Sequence, residues 1–181
     1  YISRQEVEET VDKMASFGRS ADVIHIDGWG TLFRRDTGEL LTFDAERFPD
    51  PAGMVRHLAE KGIHLSLWMF PYVHEKNRDG TVSASFENMK ARGFLVKNRA
   101  GEVYCFTPGA GDPSHQVAAL DFTNPALVDY MTQRVAHPIE RGAVAIRTDV
   151  PKDNPAEGAH ADAPTDHSAH TTSPARRAAH R

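Results

Sequence analysis

The sequence predicts an α/β fold built from parallel β/α units, and three observations carry that prediction. Helical and strand patterns alternate from the first residues onward, the strand patterns are short and nearly continuous apolar runs, and the helical patterns carry their own start and stop residues. Apolar runs of that kind suit parallel strands covered on both faces, and helices between them supply the crossover connections. Three such units amount to part of a (β/α) barrel or of a doubly wound sheet. A complete eightfold barrel takes about 250 residues, so about half of one fits in 181 residues.

The elements follow in order. Ser3-Arg-Gln-Glu6 has capping-box spacing, Val7, Val11, Met14 and Phe17 fall on one helical face, and Gly18 supplies the stop. Asp22-Val-Ile-His-Ile-Asp27 is β-branched and apolar apart from His25, which reads as the first strand. Asp50-Pro51 gives an N-cap with proline at the first helical position, Met54, Val55 and Leu58 continue the helix, and Gly62 closes it. Residues 63–69 read as the second strand.

Residues 72–122 are less regular and read as an insertion after that strand. They contain a short helix over residues 86–92 stopped by Gly93, a small hairpin of "FLVKN" and "EVYCF", and a glycine- and proline-rich loop over 108–113. Asn124-Pro125 then starts a helix with Val128, Met131 and Val135 on its apolar face, stopping near Pro138 to Gly142. The third strand covers residues 143–149. From Pro151 the composition changes: residues 151–181 hold eight Ala, four Pro and four His, four basic and four acidic side chains, and no large apolar residue. Such a segment cannot offset the entropy of ordering, so disorder is expected there. The domain reading is therefore a folded region over 1–150 and a low-complexity tail over 151–181. A frameshifted or truncated reading near codon 150 would produce that change, as would a genuine low-complexity terminus; the first is the expectation, and the coding DNA tests it.

A composition of 40% hydrophobic and 25% charged residues is that of a soluble globular protein, and no apolar run approaches the roughly 20 residues of a membrane span. The net charge of -4, without blocks of like charge, argues against nucleic acid and anionic membranes as partners. A single Cys105 excludes an intrachain disulfide framework, and residues 1–20 lack a secretory pattern. A cytoplasmic setting is expected, with a start at Tyr1 that suggests a missing upstream segment.

Chemistry is sought at the strand ends, because parallel β/α folds gather the C-terminal ends of their strands on one face. Asp27, Trp68 and Asp149 each fall at such an end. A carboxylate there is costly to desolvate unless paired or wetted. The bland readings stand beside the functional one: a turn or cap for Asp27, plain core for Trp68, an ion pair of Asp149 with Arg147. Asp121 and Asn124 read as helix capping. His167-x-x-His170, with His160 and His180, lacks the companions of a specific zinc site, and no nucleotide-binding or nucleophile-elbow motif is present. No metal or cofactor is expected.

The ordered segments "SRQEVEETVDKM", "DVIHIDGWG", "FDAERFPDPAGMVRHLAEKGIHLSLWMFPYV", "GFLVKNRAGEVY", "ALDFTNPALVDY" and "GAVAIRTD" resemble the catalytic barrel of family 31 glycoside hydrolases, particularly its α-xylosidase-like branch. The resemblance covers residues 1 to about 150. It implies an incomplete (β/α)8 TIM barrel, about strands 2 to 4 with an insertion after strand 3, and a retaining α-glycosidase activity on terminal xylosyl or glucosyl units. It further implies Asp149 as nucleophile, from the match of Arg147-Thr148-Asp149 to the family's Lys-Thr-Asp run. Asp27, Trp29, Trp68 and Arg147 are implied as substrate-binding residues, with a carbohydrate as partner.

Two departures from the family pattern matter. Val150-Pro151-Lys152 stands where the family has Phe-Gly-Glu, and the acid/base aspartate of the family lies on a later strand, outside this chain. The chain alone is therefore expected to be inactive. Two alternatives stand beside this reading: a related α-galactosidase-type enzyme, and a non-catalytic sugar-binding or broken gene product.

Overall fold

Three parallel strands form the sheet that positions the site. The structure, a computed structural model, describes residues 3–30, 36–77, 79–107 and 115–149. The tail over 151–181, its four histidines and the loop over 108–113 lie outside the described residues. In chain order the elements are α1 (Arg4–Ser16), β1 (Val23–Ile26), α2 (Pro51–Glu60), β2 (His64–Met69), β3 (Tyr72–His74), α3 (Ala84–Ala91), β4 (Cys105–Phe106), β5 (Val117–Ala119), α4 (Pro125–Glu140) and β6 (Ala143–Thr148).

The first sheet has the order β1-β2-β6, all parallel, with Ile26 opposite Leu67 and Trp68 opposite Arg147. Helices separate its strands because their start signals are satisfied locally. Ser3 accepts a hydrogen bond from Glu6 N, Asp50 from Gly53 N, and Asn124 from Ala126 N, each removing one orphan donor of a helix N-terminus. A Cβ at Gly53 would lie 2.0 Å from Asp50 Oδ2, so a larger residue there would displace the capping carboxylate.

Side chains alternate across this sheet, as the pleat demands. Ile24, Ile26, Leu65 and Leu67 point into the core with Val7 and Val11 of α1, Met54 and Leu58 of α2, and Leu127 and Met131 of α4. The opposite face carries the polar residues His25 and Ser66, which touch one another, followed by Trp68 and Asp149.

A second sheet, absent from the sequence reading, is antiparallel with the order β3-β5-β4. The hairpin tip exists as a Lys97–Val103 bridge, but Cys105 and Phe106 pair with Ala118 and Val117 across the insertion. The pairing of Tyr72 with Ala119 joins residues far apart in the chain and leaves no local signal, so nothing in the sequence marks a strand at 72–74.

Three expectations are corrected. Phe17 caps the end of α1 and is 71% exposed instead of joining Val7 and Val11. Val128 is 42% exposed, while Leu127, Tyr130, Met131 and Pro138 form the buried face of α4. The helix face is turned by the loop before α2: Tyr130 Oη meets Leu40 N at 3.3 Å and donates to Glu39 Oε2 at 2.9 Å. The strands are also less covered than parallel strands of a closed fold. β6 is largely exposed, with Val144 at 56%, because no helix follows it within the described residues.

Candidate active site

The three strand-end residues share one rim. Asp27 directly follows β1, Trp68 is the penultimate residue of β2, and Asp149 directly follows β6. Since the strands are parallel and adjacent, their C-terminal ends open on the same side.

Asp149 is fixed from two directions. Its backbone N–H continues the ladder to Met69 O at 3.0 Å, and its carboxylate accepts a hydrogen bond from Trp68 Nε1 at 3.3 Å. Arg147 NH2 lies 3.6 Å from its other oxygen. Both side chains are at least half exposed, so this ion pair contributes at most about 1 kcal/mol in water.

Trp68 is half-buried and stacks on Phe70, with ring centroids 5.3 Å apart and planes 14° from parallel. Behind it, Trp29 is 2% exposed and donates from Nε1 to Trp68 O at 2.8 Å. Trp29, which the resemblance implies as substrate-binding, braces the tip of β2 in this structure, with its ring against Phe43 at 4.7 Å.

The loop that holds Trp29 is itself clamped by residues the sequence reading did not single out. Asp44 N donates to Trp29 O, and Arg47 reaches Gly30 O at 3.1 Å. Asp44 also accepts from Arg47 Nε at 2.8 Å. Burial opposes the charge of Asp44, yet the hydrogen bonds from Arg47 and from Glu46 N outweigh it and hold its carboxyl below the ordinary carboxylate range. A D-x-x-R spacing in a loop was the available signal, and it is common enough to pass unnoticed.

Asp27 is three-quarters exposed, with His25 Nε2 3.0 Å from its Oδ1. Asp27 and Asp149 stand on strands two places apart in the sheet, a backbone separation of about 10 Å at the usual strand spacing of about 4.8 Å. Among the described residues no group of three or more metal-ligating side chains is placed to hold a metal. No helix there is long and apolar enough to cross a membrane.

A parallel β/α sheet bearing acidic and aromatic side chains on its C-terminal rim fits part of a β/α enzyme domain, barrel or doubly wound. A profile described as the glycosyl hydrolases family 31 TIM-barrel domain matches residues 1–180, and the chain belongs to that family. It is 29% identical over 159 residues to the α-xylosidase XylQ of Lactiplantibacillus pentosus, covering 86% of this chain and 19% of that protein. An α-xylosidase of Emericella nidulans is 35% identical over 107 residues, covering 59% of this chain and 12% of the relative.

Among solved structures, a family 31 dextranase of Flavobacterium johnsoniae complexed with glucose superposes with a TM-score of 0.69 at 21% identity, over 89% of this chain and 20% of that one. A family 31 α-xylosidase from a soil metagenome complexed with xylose gives 0.60 at 22% identity, over 82% and 20%. The chain thus spans about a fifth or less of the length of these proteins.

Proposed function

We propose that this chain is part of the catalytic barrel of a retaining α-glycosidase, spanning about the second to fourth barrel strands with an insertion after the third. The intact enzyme hydrolyses terminal α-linked xylosyl or glucosyl residues. The observation that carries this reading is the Trp68–Asp149 contact on the C-terminal rim of a chain that belongs to family 31. The α-xylosidases among its relatives favour it over an α-galactosidase-type specificity.

In this reading Asp149 attacks the anomeric carbon and forms a covalent glycosyl-enzyme, which water then hydrolyses. Trp68 presents its ring to the sugar while its N–H aims the nucleophile, Arg147 flanks the carboxylate, and Asp27 accepts hydrogen bonds from sugar hydroxyls. The general acid, worth 10² to 10⁴-fold in typical enzymes, is supplied from outside this chain. The chain alone therefore does not turn over aryl α-glycosides.

The nucleophile is testable without the acid, because the leaving group of an α-glycosyl fluoride departs unprotonated. Incubation of the chain with α-xylosyl or α-glucosyl fluoride is expected to add one glycosyl unit to the peptide containing Asp149. Asp149→Asn should abolish the label. A label absent from the wild-type chain, or retained in the variant, overturns the assignment.

A further inference from the structure

His25 is the polar residue inside an otherwise apolar strand, and the hydrolysis described above does not use it. It stands directly opposite Ser66 in the β1–β2 register, and its Nδ1 lies 2.9 Å from Ser66 Oγ. Ser66 is 8% exposed. The other ring nitrogen, Nε2, is buried and lies 3.0 Å from Asp27 Oδ1, yet it makes no hydrogen bond in this geometry. Arg147 and Asp149 supply the further charges on this face of the sheet, from β6.

The chemistry of the three groups sets the direction of the chain. An ionised carboxylate only accepts, so a favourable contact with Asp27 requires the proton on Nε2. In a neutral ring Nδ1 is then the acceptor, and Ser66 O–H is the donor that fits it. A second group that fixes the tautomer of a histidine is the arrangement by which metal-binding histidines are oriented. Poorly aligned contacts in unliganded sites commonly tighten when the ligand arrives.

We propose that Ser66 and His25 are positioning residues for Asp27: Ser66 holds the imidazole as its Nε2–H form, and that N–H holds one carboxylate oxygen, leaving the other for sugar hydroxyls. This rests on the reading of Asp27 as a sugar-binding residue. An exposed carboxylate samples several rotamers, and ordering it before the sugar arrives removes that entropic cost from binding.

Nitrogen-15 histidine spectra of the chain, with the His25 signal assigned by its loss in His25→Gln, test the relay directly. At a pH where the ring is neutral the wild type is expected as the Nε2–H tautomer, and Ser66→Ala should convert it to a mixture. In xylose titrations followed by the same spectra, Ser66→Ala and His25→Ala should weaken binding roughly 3- to 10-fold, the scale of one lost hydrogen bond. His25→Gln, which keeps an N–H donor, should recover part of that loss, and thermal midpoints should stay close to wild type. A wild-type Nδ1–H tautomer, or a tautomer indifferent to Ser66→Ala, overturns the proposal. So does xylose affinity unchanged in His25→Ala but lost in Asp27→Ala. Failure of the wild-type chain to bind xylose counts against the glycosidase reading, and the relay is then upheld or overturned by the tautomer spectrum alone.

Discussion

Replacing Asp44 is the substitution whose cost the structure specifies most closely. Its side chain is 5% exposed, and that of its partner Arg47 is 14% exposed. The carboxylate accepts from Arg47 Nε at 2.8 Å, Glu46 N at 3.1 Å and Arg47 N at 3.3 Å. Asp44→Ala removes all three bonds and leaves a nearly buried guanidinium without its counter-charge, a change that costs about 3–5 kcal/mol. Asp44→Asn keeps an oxygen for the two backbone donors but still removes the counter-charge of Arg47, so it should cost less than the alanine change, about 2–3 kcal/mol. Against a typical domain stability of about 5–15 kcal/mol, the first is severe and the second tolerable.

Urea unfolding followed by tryptophan fluorescence reads both, because the Asp44 backbone also bonds Trp29. The pH dependence supplies a sign. The folded carboxyl of Asp44 is held below its ordinary range, so its stabilisation is fully present above the unfolded value of about 3.9 and is lost as pH falls through the folded value. The stability gap between wild type and Asp44→Asn should therefore be constant near neutrality and close in acid below about pH 4. An alanine variant within 1 kcal/mol of wild type (about a tenth of a typical domain's stability), or a gap that widens on acidification, refutes the argument.

Three further outcomes are expected. Trp29→Phe deletes the bond to Trp68 O and opens a cavity, costing about 2–4 kcal/mol in urea titrations and weakening xylose binding at the rim; unchanged stability would remove its bracing role. Gly142 has φ +97, and a Cβ there would meet Val55 Cγ1 at 2.5 Å. Gly142→Ala should thus cost about 1–3 kcal/mol, and in a double-mutant cycle Val55→Ala should recover the contact part but not the backbone part. Val144, 56% exposed on β6, is on an outer strand of the sheet among the described residues, and outer strands can pair with other chains; Val144→Lys should lower light scattering of the purified chain, and equal scattering would absolve that edge.

Where a structural decision is made within a few residues, the sequence determined it. Ser3, Asp50-Pro51 and Asn124-Pro125 start their helices because each side chain reaches a backbone N–H two or three residues away, and no tertiary neighbour is needed. The same locality made Asp27, Trp68 and Asp149 legible as strand ends, and a parallel sheet then brings strand ends together. The tertiary structure decided whatever depends on residues distant in the chain. The pairing of β3 with β5 joins Tyr72 to Ala119, the face of α4 follows the contact of Tyr130 with Leu40 and Glu39, and Trp29 is buried because the loop carrying Phe43 and Asp44 folds over it. His25 shows the division within one side chain: its place inside a strand is a local fact, while its partner Ser66, 41 residues on, is set by strand register. Caps and periodicity act through short-range hydrogen bonds and backbone geometry, whereas burial and cross-strand partners depend on which distant segment arrives, and the sequence of one segment carries no record of that.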